Sequence, residues 1–475
     1  LTNKRAIIWL RRDFRLQDNS AIYYALEWAK KHNGYVSFVF HLNPDFYENK
    51  TNQNEYFFKA LLHFSNRLSN LGIDLYVVYG SYQTVFTRLF EWAPDINCIF
   101  YNKDELPNAR KRDLWVNEFC SSKGCEVHEF DDYHLHGANE VTKHDGTMYK
   151  VFTPYFKSWS MLQKPRPRII NENELVFYSK DIPSAINDKH LLTNYPYRKE
   201  WVNIGEENAL AQLHLFINNR IEAYGKNRNF PSVEGTSKLS SFLITGAIAV
   251  RTIYSELENL TQYNKESVQT FIQELAWRDF YHMIHVSNPL CQSVEINEQY
   301  RHIAWSTDEH VLKIWSTGQT GYPIVDAGMR QLNNEGWMHN RLRMITASFL
   351  TKDLLVDWRL GESYFNKVLI DYEAASNIGG WQWAASVGTD AVPYFRIFNP
   401  VTQSKKFDQD GKYIRKYIPE LKDVPDKYIH EPWKMSVEIQ KLSGCIIGQD
   451  YPAPIVDHAV QRLKAIQLFK SELLD

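Results

Sequence analysis

The sequence predicts an α/β domain, then a long connector, then an all-α domain. Three observations lead there. Strand-like and helix-like runs alternate up to about residue 130, residues 131–205 carry little regular pattern, and from Glu206 onward apolar residues recur at the helical period. The expected divisions are therefore residues 1–130, 131–205 and 206–475.

In the first part, Ala6–Leu10 (AIIWL), Tyr35–His41 (YVSFVFH), Leu75–Val78 (LYVV), Cys98–Tyr101 (CIFY) and Val127–Phe130 (VHEF) read as short strands. Helical patterns such as Asn54–Leu71 and Ala109–Ser121 lie between them. Such alternation builds a parallel sheet covered on both faces. The first strand runs into RRDFRLQDN rather than a G-x-G-x-x-G turn, so the usual dinucleotide site is not expected there. The connector carries KPRPR at Lys164–Arg168 and is too long to lack helix altogether. Beyond it, helices are expected over Ala209–Asn219, Ser240–Glu258, Ser267–His285, Val325–Glu335, His339–Asp357 and Gly361–Val368.

Composition narrows the function. With 54 basic and 56 acidic residues in 475 the chain is no polycation, so any nucleic-acid surface must come from local charge. The five cysteines (Cys98, Cys120, Cys125, Cys291, Cys445) form no C-x-x-C pair and are odd in number. That speaks against a disulfide framework or a zinc site and for a reduced cytoplasm; no metal is expected. No apolar leader or 18-residue apolar run is present, so no membrane span is expected, and nothing demands more than a monomer. Aromatics are plentiful, at 14 Trp, 28 Tyr and 26 Phe. Most must fill cores, but indoles also stack and donate hydrogen bonds.

The densest chemistry lies in Asp371–Pro400, DYEAASNIGGWQWAASVGTDAVPYFRIFNP. Two glycines in a helical run cost roughly 1 kcal/mol each relative to alanine, yet let a flat ring come close. Asn377 and Trp381 are four apart and share a helix face. This reads as the wall of a pocket for a large aromatic cofactor. EGTSKLSS at Glu234–Ser241 offers hydroxyls and Lys238 before a helical run, which is either a plain N-cap or a pyrophosphate cradle. In ELAWRDFY, Glu274, Trp277, Arg278 and Tyr281 line one helix side; an indole beside a carboxylate can hold a flat base. In GWMHNRLRMIT, Trp337, Asn340, Arg341 and Met344 are expected on one face, against a plain core stripe as the alternative. Trp305, Trp315, Trp358, Trp381 and Trp383 are candidates for electron hopping. PVTQSKKFDQDGKYIRKYI at Pro400–Ile418 has five basic and two acidic side chains, a solvated face or a DNA-backbone surface.

With WLRRDFRLQDN, MYKVFTPYFKSW, TGYPIVDAGMRQL and IHEPWK in the same order, the chain resembles the photolyase/cryptochrome family, most closely bacterial class I cyclobutane pyrimidine dimer photolyases. The resemblance implies an N-terminal Rossmann-like antenna domain and a C-terminal helical domain that binds FAD, reduced and anionic in the active state. It implies light-driven electron transfer from that FAD to a pyrimidine dimer flipped out of UV-damaged DNA. Tyr224, Thr236, Ser237, Lys238, Leu239, Ser240, Arg278, Asn340, Arg343, Asp371, Glu373 and Asn377 match cofactor-binding positions. Glu274, Trp277, Asn340, Met344 and Trp383 match the dimer pocket. Trp381, Trp358 and Trp305 match the photoreduction chain, and Arg228, Trp277, Arg341, Gln403 and Lys405 match DNA-facing positions. Glu373 replaces the family's usual Asp, and Phe271 a Trp of some relatives. Asn108 is kept, but Ala109 replaces an acid that helps hold folate, which speaks against a methenyltetrahydrofolate antenna and leaves a deazaflavin, a second flavin or no antenna open. The rival reading is a cryptochrome, a blue-light receptor without repair activity; the dimer-pocket set and a chain that stops soon after IHEPWK oppose it. Repair of (6-4) photoproducts is disfavoured because only His339 stands where that branch has paired histidines.

Overall fold

A computed structural model describes residues 4–105, 107–182, 186–201, 203–260 and 265–471, with the side chain of Asn108 outside the described residues. The chain forms two compact units: residues 1–148, 155–219 and 237–286 in one, and residues 149–154, 220–236 and 287–475 in the other.

The first unit is built on a five-stranded parallel sheet: β1 (Arg5–Leu10), β2 (Tyr35–Leu42), β3 (Leu75–Tyr79), β4 (Ile96–Asn102) and β5 (Glu126–Phe130), in the order β3-β2-β1-β4-β5. All five expected strands form, each within two residues of the expected bounds. Every residue of β1 is buried, as befits a central strand covered on both faces. The helices start where short polar side chains can cap them: Asn19 accepts from Ile22 N, Thr51 from Asn54 N and Ser81 from Thr84 N. The order reverses between β1 and β4, and in open parallel sheets ligands favour the crevice at such a point.

RRDFRLQDN turns out to be an internal ionic network. Asp132, fully buried, accepts from Arg15, from Arg251 Nη2 at 2.7 Å and from Ser20 Oγ at 2.5 Å. Asp18 accepts from Arg251 Nε at 3.0 Å and Thr252 Oγ1 at 2.9 Å, while Asp13 takes Asn102 Nδ2 at 2.6 Å. Burial alone would raise the Asp132 pKa; the Arg15 and Arg251 guanidiniums overcome it and hold the carboxyl well below the usual carboxylate range. KPRPR is likewise structural. The Lys164 amine lies over the Trp159 ring at 3.7 Å, Arg166 pairs with Glu258 at 2.6 Å, and the Arg168 backbone N–H donates to Asp18 Oδ1 at 3.0 Å while its carbonyl accepts from Asp18 N at 2.9 Å.

Two expected helices are each divided. Ser240–Glu258 becomes Ser240–Thr245 and Val250–Glu258, because Gly246 takes a left-handed φ of 64° where a Cβ would strike the Arg12 backbone. His339–Asp357 becomes Asn340–Ser348 followed by a π turn over Phe349–Asp353, and Leu355 then reverses at φ 57°. Asp357 accepts from Arg359 N at 2.9 Å, so the next helix starts at Trp358, three residues before the expected Gly361.

The second unit is helical around one large core holding Trp315, Trp358 and Trp381. Its helices include Glu309–Ser316, Pro323–Glu335, Asn340–Ser348, Trp358–Val368, Ala374–Ala385 and Pro400–Phe407. Among the described residues no helix is long and apolar enough to cross a membrane.

Candidate functional site

The candidate residues divide between the two units. In the helical unit the Ala374–Ala385 helix is the centre. Glu373 caps it, accepting from Ser376 N at 2.8 Å. Ile378, Trp381 and Ala385 are buried, while Asn377, Gly380 and Trp383 stay half-buried along a second strip. A Cβ added at Gly380 would meet no atom within 4 Å. The glycine therefore borders open space on that strip, as a flat ring would require.

Asn377 does not stand alone. Its Nδ2 donates to Glu362 Oε1 at 3.1 Å, and the Tyr372 hydroxyl donates to the same oxygen at 2.8 Å. Burial pushes the Glu362 pKa up, and the two hydrogen bonds only partly offset it. Glu362 thus fixes the carboxamide plane of Asn377. Sequence reasoning missed Glu362, because its acid sits mid-helix in WRLGESYF with no local partner to mark it.

Arg343 reaches across from the Asn340–Ser348 helix to clasp Asp371 at 2.7 and 3.0 Å. The expected pair is formed, with the carboxylate buried and the guanidinium partly open. Asn340, Arg341, Arg343 and Met344 all keep accessible surface on this helix. Trp337 does not share their face. It lies in the link after Gly336, whose left-handed φ of 65° ends the preceding helix, and His339 Nδ1 caps the new one by accepting from Arg341 N at 3.1 Å.

Of the proposed electron carriers, Trp358 and Trp381 are buried and Trp305 is half-buried. Trp358 Nε1 donates to Glu295 Oε1 at 3.1 Å, and Trp305 meets Phe469 at 5.9 Å. The Trp381 ring presses on Gly361, one turn into the helix that Trp358 starts; any side chain there would collide with it. Trp383 lies 6.4 Å from Phe398.

Near the expected DNA face, Arg341 donates to Asn229 and stacks on Phe407 at 4.4 Å, and Phe230 meets Phe407 at 6.4 Å. Gln403 is one turn before Phe407 on the same helix. Arg228 lies over Tyr224 at 5.5 Å. Much of the expected local positive charge is paired within the chain: Lys405 with Glu431 at 2.7 Å, Lys412 with Asp410 at 3.3 Å and Arg415 with Asp426 at 2.6 Å.

In the sheet-bearing unit, Glu274, Trp277, Arg278 and Tyr281 form a half-buried stripe on the Lys265–Ser287 helix, opposite buried Leu275, Ala276, Asp279 and Phe280. Trp277 packs on Tyr281 at 5.4 Å, and Arg278 donates to the Tyr133 carbonyl. Asp279, also unforeseen, accepts from His136 N at 3.0 Å and Trp159 Nε1 at 2.9 Å, anchoring the chain after β5. In EGTSKLSS no side chain caps the Ser240–Thr245 helix, so the plain N-cap reading fails. Lys238 takes a φ of 53°, unusual without glycine, and Ser240 is exposed. Thr236, in the other unit, accepts from Arg220 through its carbonyl at 3.3 Å.

Residues 271–471 match the FAD binding domain of DNA photolyase, and residues 6–170 match DNA photolyase. A curated relative from Alkalihalophilus pseudofirmus, named deoxyribodipyrimidine photo-lyase, is 49% identical over 98% of both chains. The chain belongs to the DNA photolyase family. A solved class III photolyase from Agrobacterium tumefaciens superposes on this photolyase with a TM-score of 0.93 at 32% identity, covering 100% of this chain and 99% of that one. A cryptochrome from Synechocystis gives 0.84 at 26% identity, covering 98% and 99%, so the fold serves both branches.

Proposed function

We propose that this photolyase repairs cyclobutane pyrimidine dimers in UV-damaged DNA under blue light. One observation carries the reading: in a chain of this family, two of the side chains matched to the dimer pocket, Glu274 and Trp277, lie one turn apart on a half-buried helix stripe. A carboxylate next to an indole suits a flat base that is both stacked and hydrogen-bonded.

Bound FAD, reduced and anionic, supplies the electron. The open strip beside Gly380, the fixed Asn377 amide and the Arg343–Asp371 clasp are the groups that hold and tune its ring, with Tyr224, Thr236 to Ser240, Arg278, Asn340 and Glu373 completing its contacts. Glu274 and Asn340 hydrogen-bond the 5′ base and stabilise charge as it develops there. Trp277, Met344 and Trp383 pack the dimer and exclude water. Trp381, Trp358 and Trp305 return electrons to an oxidised cofactor. Arg228, Arg341, Gln403 and Lys405 meet the DNA backbone. An antenna belongs to the sheet-bearing part, within residues 1–130, ahead of the connector 131–205 and the helical part 206–475. Since Ala109 lacks the acid, a deazaflavin or flavin suits it better than methenyltetrahydrofolate. The protein acts as a cytoplasmic monomer, in keeping with five buried, unbridged cysteines.

Trp277→Ala is expected to weaken dimer affinity by about 1–3 kcal/mol through lost stacking, read by titrating a dimer-bearing oligonucleotide. Unchanged affinity removes Trp277 from the pocket. Arg341→Ala is expected to reduce the slope of log affinity against log salt by about one. An unaltered slope means that its guanidinium meets no phosphate. Dark titration separates repair from signalling: the FAD-loaded protein should bind a dimer-bearing duplex more tightly than the same undamaged duplex. Equal affinities favour the cryptochrome reading.

A further inference from the structure

Gln331 lies buried on the Pro323–Glu335 helix, and every hydrogen-bonding position of its amide is used. Oε1 accepts from Tyr413 Oη at 2.7 Å and from His339 N at 3.3 Å, while Nε2 donates to Tyr417 Oη at 3.0 Å and to Glu335 Oε2 at 3.1 Å. A backbone N–H only donates and a carboxylate only accepts, so these partners fix which way the amide points. Tyr417 Oη closes the ring by donating to Glu335 Oε1 at 2.5 Å. Three of the four partners lead to segments matched to DNA. His339 caps the helix that carries Asn340, Arg341 and Met344. Tyr413 and Tyr417 belong to the short Lys412–Tyr417 helix, whose start is held by buried Asp408, accepting from Tyr413 N and Ile414 N at 2.9 Å each. Asp408 directly follows the Pro400–Phe407 helix, which carries Gln403, Lys405 and the Phe407 ring under Arg341.

We propose that Gln331 and Tyr413 are positioning residues for damage recognition, fixing the spacing between the helix that meets the dimer and the helix that meets the DNA backbone. The proposal rests on the assignment of Asn340 and Met344 to the dimer and of Gln403 and Lys405 to the backbone. Gln331 and Tyr413 are themselves buried and touch no DNA. An undamaged duplex presents phosphates and engages the backbone-facing side chains alone. A flipped dimer must engage Asn340 and Met344 at the same time, and both sets fit only at one separation. A fully satisfied buried amide between them holds that separation before DNA arrives, so its benefit falls on the damaged duplex. Gln331 thereby contributes to selectivity for the lesion, not to general affinity for DNA.

The test titrates the full-length, FAD-loaded protein in the dark with a duplex bearing one thymine dimer and with the same undamaged duplex. Tyr413→Phe removes one buried hydroxyl and leaves Gln331 Oε1 still paired with His339 N. It should weaken dimer binding about fivefold, the effect of one lost hydrogen bond, with flavin content and affinity for the undamaged duplex held at the wild-type level. Gln331→Met, of similar volume, should give the same selective loss in larger measure. In an Asn340→Ala background the loss from Tyr413→Phe should shrink below about twofold, because the amide that the link places is gone. An undiminished loss in that background means that Tyr413 acts on the fold alone and overturns the proposal. Equal losses on both duplexes, or no loss in either variant, overturn it as well. If the wild type itself does not prefer the dimer, the repair reading fails first, and the proposal with it.

Discussion

Asp132→Ala is expected to cost about 3–5 kcal/mol of folding free energy, because it leaves the buried Arg15 guanidinium without its ion-pair partner and Arg251 with Asp18 alone. Arg15 and Arg251 are each at most 2% exposed, so water cannot replace the lost carboxylate. The effect also has a pH signature. Burial acts to raise the Asp132 pKa, but the two arginines prevail, and the folded-state value lies below the unfolded value of about 3.9. Its contribution is therefore fully present above about pH 4 and is lost as the pH falls through the folded pKa. Denaturant melts between neutral and acid pH should show the wild type losing stability towards acid more steeply than the variant. Equal acid dependence in both contradicts the network's role.

Glu274→Ala is expected to lower the quantum yield of dimer repair by roughly tenfold while changing dimer affinity much less. The reason is differential: a hydrogen bond to a charged group contributes about 1.5–3 kcal/mol, and the base becomes charged only after it has received the electron. Trp277 lies on the same half-buried stripe and its stacking holds the dimer in either state, so the two variants should separate binding from chemistry. Equal losses in affinity and yield after Glu274→Ala assign the carboxylate to binding alone.

Both layers of the fold were legible, because both periods were clean. The strands read as short apolar runs bounded by turns, and the helices as 3.6-residue patterns. Two helix breaks were not. Gly246 looks like a tolerable helical glycine until the Arg12 backbone is seen against it, a contact between residues far apart in sequence. The π turn at Phe349–Asp353 follows no local signal in ASFLTKDLL. The ion-pair partners of RRDFRLQDN and KPRPR were not legible either, because Asp132, Arg251 and Glu258 come from distant segments. The same holds at the site. Spacing put Asn377 and Trp381 on one helix face, but they share only the helix, with Trp381 buried and Asn377 on the half-buried strip; the family pattern supplied Arg343–Asp371. Glu362 behind Asn377 and Gln331 behind His339 emerged only from tertiary packing.

The most direct measurement of the central claim uses anaerobically reduced, FAD-loaded protein with an oligonucleotide bearing one thymine dimer. Thymine absorbance is followed with and without blue light. The account predicts recovery of that absorbance under light and none in the dark. No recovery under light, with the flavin shown to be reduced and the dimer bound no better than undamaged DNA, contradicts it and assigns the chain to the photoreceptor branch.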